Sequence, residues 1–221
     1  MENYIDTIAS SRLFKNISKE EILKLLKNTN SKISSFKKGE YVFFEGDIVE
    51  DIALLVDGAL HIQSDDFWGN RYILGKINKR EIFAESYAFL NNQKLLNDVQ
   101  ALEDSKVMFI NVQKLLNYCL SSENFQKEVI NNLLIIFAFK NQNLVQKLRT
   151  IAKRSIREKL LFYFSLEAKI QNFSTIKLSF NRQELANYLF VDRSALSREL
   201  SKMQKDGLII YKKNTIKLLK L

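Results

Sequence analysis

Apolar residues along this chain change their spacing from one stretch to the next, and each spacing predicts an element. Residues 1–30 carry short helical patterns: Ile5 and Ile8 first, then Ser18 with Glu21 three residues on. That pair is a capping-box signature, opening a helix with Ile22, Leu25 and Leu26 inside. From Ser31 the period becomes two. Ile33, Phe36, Tyr41, Phe43, Ile52, Leu54, Val56, Leu60 and Ile62 predict short strands, with Gly39, Gly46, Gly58, Gly69 and Gly75 as turn residues. Strand character returns at 99–101 and 107–110, and turns at such regular intervals predict an antiparallel barrel or jelly roll. Helical spacing then resumes: Phe125 to Ile151 has no glycine and predicts one long helix. A second helix over 155–164 packs Ile156, Leu160, Leu161 and Phe164.

The most informative pattern runs from Phe180 to Ile210. Split at Phe190–Asp192, it yields two short helices. The first places Leu185, Ala186 and Leu189 on one face and keeps Arg182, Gln183 and Asn187 off it. The second repeats Leu196, Leu200 and Met203 at the spacing of a buried stripe, and sets Arg193, Ser194, Ser197 and Arg198 on another face. Asp206–Gly207 stops that helix, Leu208–Tyr211 reads as a strand, Lys212–Asn214 can turn, and Thr215–Leu219 can return. An ordinary helical hairpin with a solvated basic face would share the Arg/Ser pattern. Two helices followed by a basic hairpin favour a winged helix-turn-helix, with Lys212 and Lys213 near phosphates and two arginines spaced to reach along one major groove.

Charge sharpens this reading. Residues 1–139 hold 16 Lys/Arg against 19 Asp/Glu, a net of −3, whereas residues 140–221 hold 18 against 6, a net of +12. All of the chain's excess positive charge therefore sits beside the helix-turn-helix pattern, as expected of a polyanion-binding part joined to a part with another task. The single cysteine, Cys119, excludes an internal disulfide and a four-thiolate iron–sulfur cluster. The acidic start, MENYIDTIASS, lacks the order of a signal peptide, and no apolar run approaches a membrane span. The expectation is a cytoplasmic chain with no membrane partner.

The stretch FKKGEYVFFEGDIVEDIALLVDGALHI, with Gly39, then Gly46-Asp47, then Gly58, resembles the first strands of the cyclic-nucleotide-binding β-roll. Together with the helix-turn-helix, the whole chain resembles the Crp/Fnr family of bacterial transcription regulators. That resemblance implies an α+β fold: an N-terminal antiparallel, jelly-roll-like β-roll with N-terminal helices over 1–122, a dimerisation helix over 123–151, and a C-terminal winged helix-turn-helix over 152–221. It implies double-stranded DNA as partner, a homodimer reading a palindromic operator, and contacts to RNA polymerase and to a small-molecule effector. The dimer seam is expected at Ile130, Leu133, Phe137, Leu144 and Leu148, interrupted by Lys140 and Asn141. DNA contacts are expected from Arg193, Ser194, Ser197, Arg198, Arg182, Lys202 and Lys212, with Arg154 and Arg157 also near phosphates. Arg193 and Arg198 match the family's two reading arginines, whereas Ser194 stands where Glu is common and Phe190 replaces the usual turn glycine.

The effector pocket departs from the family pattern. Glu85 falls where a ribose-binding Glu belongs, followed by Ser86, but Leu95 and Leu96 occupy the positions of the phosphate-binding Arg and Ser. An anion against two leucines would lose water and gain no donor, costing several kcal/mol, and Lys94 replaces a bidentate fork poorly. Classical cyclic AMP is therefore disfavoured, and an uncharged effector or none fits better. A lone histidine, His61, gives little support for haem, and no metal site is expected. A cupin-type enzyme would need several His and carboxylate ligands, and HExxH, P-loop and GxSxG patterns are absent, so an enzyme is not expected. The alternative is a β-roll ligand-binding module that regulates a protein partner without DNA.

Overall fold

The computed structural model describes residues 2–65, 71–120 and 124–219. It forms two compact units, Met1–Phe139 and Lys140–Leu221. The expected turn at Gly69 and the expected domain boundary at 122–123 lie outside the described residues.

The first unit begins with helices α1 (Ile5–Ala9) and α2 (Lys19–Asn28). The capping box is formed: Ser18 Oγ accepts from the Glu21 amide, and Glu21 accepts from the Ser18 amide at 2.9 Å. Eight strands follow, β1 (Lys32–Phe36), β2 (Tyr41–Phe43), β3 (Asp51–Asp57), β4 (Ala59–Asp65), β5 (Arg71–Asn78), β6 (Ile82–Phe83), β7 (Asp98–Ala101) and β8 (Ser105–Asn111). They make two antiparallel sheets of order β1-β8-β3-β6 and β2-β7-β4-β5. Helix α3 (Glu85–Leu90) precedes β7, and α4 (Val112–Leu120) follows β8.

Strand β3 is buried on both faces, which is why its sequence is an unbroken apolar run. Ile52, Leu54 and Val56 join a core with Leu25, Met108 and Leu115, while Ala53 and Leu55 join a second core with Leu60, Val99 and Val107. Gly58 makes the sharp β3–β4 connection at φ +91°, and a Cβ there would stand 2.2 Å from Ser105 Oγ. Gly75 corrects an expectation. It lies inside β5 rather than in a turn, opposite Ile62 at a register shift, where a residue without a side chain tolerates the bulge. Several turns use asparagine instead: Asn16, Asn30, Asn91, Asn92 and Asn172 all adopt positive φ.

Helix α5 runs unbroken from Asn124 to Ile151 and contributes to both units. The expected seam residues divide. Leu133 is buried in the first unit's core with Val129 and Ile136, Ile130 packs on the same core, and the Phe137 ring meets Phe89 edge-on at 5.8 Å. Leu144 and Leu148 are exposed. Buried Asn132 fixes this face by donating to the Leu13 and Lys15 carbonyls. The outward stripe is Leu134, Ala138, Asn141, Val145 and Leu148, alternating by four and three residues.

The second unit continues with α6 (Ile156–Gln171), β9 (Thr175–Lys177), α7 (Arg182–Leu189), α8 (Arg193–Lys205), β10 (Ile209–Lys212) and β11 (Thr215–Leu218). Its sheet has the order β10-β11-β9, all antiparallel. Leu160, Phe164, Ile176, Leu185, Leu189, Leu196, Leu200 and Met203 form one core.

Candidate nucleic-acid interface

Local chemistry determines where α7 and α8 begin and end. Asn181 Oδ1 accepts from the Glu184 amide at 2.9 Å and Glu184 accepts in return from the Asn181 amide at 2.8 Å, a reciprocal cap on α7. The turn then closes with the Val191 amide bonded to the Ala186 carbonyl and Phe190 in the left-handed region, φ 52° and ψ 55°. That is the glycine conformation, now held by a phenylalanine. Asp192 caps α8, accepting from the Ala195 amide at 2.8 Å and from Ser194 Oγ at 2.5 Å. The Ser194 hydroxyl, then the Ala195 amide, hold the Asp192 carboxyl below the usual carboxylate range.

Leu196, Leu200 and Met203 turn the inner face of α8 into the core, so Arg193, Ser194, Ser197, Arg198 and Lys202 are exposed on its outer side. They are not equivalent. Arg198 Nη1 donates to Ser194 Oγ at 3.1 Å, and Ser194 donates onward to Asp192, a relay that pre-sets the guanidinium. Arg193 and Lys202 have no ion-pair partner among the described residues. The hairpin of β10 and β11 pairs Lys212 with Thr215, and Lys213, at its tip, takes φ 52°. Both lysines are exposed.

Arg182 takes a different place. Its guanidinium lies 4.9 Å from the Tyr211 ring centre and donates to the Lys213 carbonyl at 3.0 Å, so it fastens the wing to α7. Burial lowers its pKa from the ordinary arginine value. Arg157 likewise departs from expectation. Its Nε meets Glu199 at 2.6 Å and its Nη1 meets Asp206 at 2.8 Å, tying α6 to α8 rather than reaching outward; these two carboxylates raise its pKa. Arg154 is exposed, with its backbone amide donating to Glu158. Sequence reasoning missed the residues that carry the wing: Ser201 shares a hydrogen bond with the Tyr211 hydroxyl, and Gln204 accepts from the Tyr211 amide at 3.1 Å. The only signal was an aromatic residue in an otherwise basic hairpin.

In the first unit, Ala84 stands at φ 60° before α3, a left-handed position that glycine adopts more readily than alanine. Glu85 begins α3 and is buried, while Ser86 is exposed. Leu95 is buried, with its amide donating to Asp47 and its carbonyl accepting from Gly46, both at 2.8 Å; Leu96 is exposed. The four candidates therefore split between core and surface. A cavity of about 660 Å³ in this unit is lined from α2, β1, β3 and β8, and by none of the four. His61 is buried on β4 opposite Gln100 and Lys76.

Residues 33–122 match the family described as cyclic nucleotide-binding domain, and residues 158–221 match the Crp-like helix-turn-helix domain. The anaerobic regulatory protein of Bacillus subtilis is 24% identical over 200 residues, covering 86% of this chain and 79% of that protein. Among solved structures, the c-di-GMP-responsive global regulator CLP of Xanthomonas campestris is 18% identical at a TM-score of 0.68, covering 90% of this chain and 98% of its own. A CooA mutant from Carboxydothermus hydrogenoformans is 15% identical at 0.67, covering 94% and 88% respectively. No helix among the described residues is long and apolar enough to cross a membrane. A cyclic-nucleotide-binding-type roll, a long helix and a Crp-like reading head, in that order, place the chain in the Crp/Fnr family of DNA-binding transcription regulators.

Proposed function

We propose that the protein acts in the cytoplasm as a homodimer that reads a palindromic operator, inserting α8 of each subunit into successive major grooves. The observation that carries this reading is the division of α8: three apolar residues buried inward, two arginines exposed outward. Arg193 and Arg198 read base edges, Ser197 lies between them, and Ser194 acts chiefly by holding Arg198. Lys202 and Lys212 meet phosphates. Arg182 contributes by fixing the wing. The pairing surface is the exposed stripe of Leu134, Ala138, Val145 and Leu148, because two half-sites about 34 Å apart require two reading heads.

The roll serves as a sensor for an effector other than classical cyclic AMP. Leu95 and Leu96 supply no donor for a cyclic phosphate, and Glu85 and Ser86 remain for an uncharged ligand. The bound dimer acts on RNA polymerase. Selection of duplexes from a random pool, with and without cell metabolites, tests the whole reading. Recovery of a two-fold symmetric site is expected. Absence of any affinity for random duplex at about 50 mM salt would instead favour a protein partner.

A further inference from the structure

A phenylalanine in a left-handed turn is costly, and Phe190 is also half exposed, so neither backbone nor burial explains it. Its surroundings do. Lys147, near the end of α5, places its ammonium 5.5 Å from the Phe190 ring centre and 5.0 Å from that of Tyr188. Tyr188 is in turn anchored, with its ring centre 4.9 Å from Phe180 and 5.5 Å from Tyr163. From α6, Lys159 donates to the Leu189 carbonyl at 3.0 Å, at the negative end of α7. The turn between the two helices is thus gripped by two lysines from two other helices. Lys147 is half-buried, and burial lowers its pKa from the ordinary lysine value. It projects from the side of α5 opposite Val145, which lies on the outward apolar stripe, because two helical residues differ by about 200°.

We propose that Lys147 and Phe190 form a clamp that fixes the helix-turn-helix on the last turns of α5 and so sets the separation of the two recognition helices in the dimer. The proposal rests on the operator reading above. Phe190 is a positioning residue here. Its ring supplies the π-face that a glycine at the same turn would lack, and Lys147 supplies the charge.

The test uses the full chain and its selected operator, alongside the same operator with one base pair added between half-sites and a duplex carrying one half-site. Lys147→Met keeps the length of the side chain and removes its charge. It should weaken operator binding about tenfold and reduce the discrimination against the lengthened operator, while leaving single half-site affinity unchanged. Lys147→Arg should restore both, since guanidinium stacks well on aromatic faces. Phe190→Leu, which leaves α5 untouched, should act in the same direction, and the double variant should be no worse than either single one. Spacing discrimination unchanged in both single variants, or equal losses on the single half-site, would overturn the clamp while leaving the operator reading standing. A wild-type protein that selects no paired half-sites would overturn both.

Discussion

The relay from Arg198 through Ser194 to Asp192 makes a graded prediction for DNA binding. If Arg198 reads a base edge as proposed, replacing it by alanine should cost ~1–3 kcal/mol at each half-site, and the dimer should lose roughly twice that on its operator. Ser194→Ala leaves the guanidinium in place but unheld. The 3.1 Å bond that orients it is then missing. The loss should be that of one ordinary hydrogen bond, about 0.5–1.5 kcal/mol per half-site. Lys212→Ala should behave differently, because a phosphate contact carries no sequence information. It should weaken operator and random duplex alike and flatten the dependence on salt by about 0.9 in log–log slope per copy. Fluorescence anisotropy against both duplexes, over a range of salt, separates the three. If Arg198→Ala weakened both duplexes equally and flattened the slope, Arg198 would be a phosphate contact and the assignment of α8 as the sequence reader would be wrong. If Ser194→Ala matched Arg198→Ala in full, Ser194 would itself be touching a base.

Three further outcomes are expected. Gly58→Ala should destabilise the first unit by at least ~2–3 kcal/mol, read by denaturant unfolding, because its Cβ would stand 2.2 Å from Ser105 Oγ at φ +91°. The Cys119 thiol, pushed up by burial to about 11, should react slowly with a thiol reagent at pH 8 in the folded protein and quickly once unfolded; fast native labelling would contradict its place in the core. Asp192 has a lowered folded value, so its charge contributes stability above the unfolded carboxylate value, and that contribution is lost as pH falls through the folded one. The stability gap between wild type and Asp192→Asn, measured by unfolding at successive pH values, should therefore shrink below about pH 4. A gap constant down to the most acid point would show that the charge plays no part.

Much of this was written in local spacing. The capping residue Ser18, the buried triplet of α8 and the apolar run of β3 each depend on neighbours within a few positions, and such signals survive without tertiary knowledge. What was hidden depends on distant partners. Nothing near Arg157 or Arg182 in sequence announces Glu199, Asp206 or the Lys213 carbonyl, so both looked as available to DNA as Arg193. In α5, Leu133, Leu134, Ile135 and Ile136 are consecutive, and an apolar run in all directions cannot reveal which side meets the core. Strand β9 has three residues and one buried side chain, Ile176, too short for any period to show. The effector region was legible mainly as a departure. Leu95 and Leu96 told what the roll lacks, and the structure added that one is core and the other surface.

The fork that Arg157 makes to Glu199 and Asp206 has a consequence for how binding data on this molecule will look. Mobile ions compete with DNA phosphates for the protein, but they also shield that partly exposed fork, which braces the reading helix from behind. Ionic strength therefore acts on the reader as well as on the page. A titration with salt will report the sum of the two, and will be steeper than the roughly 0.9 per covered phosphate that the contacts alone give.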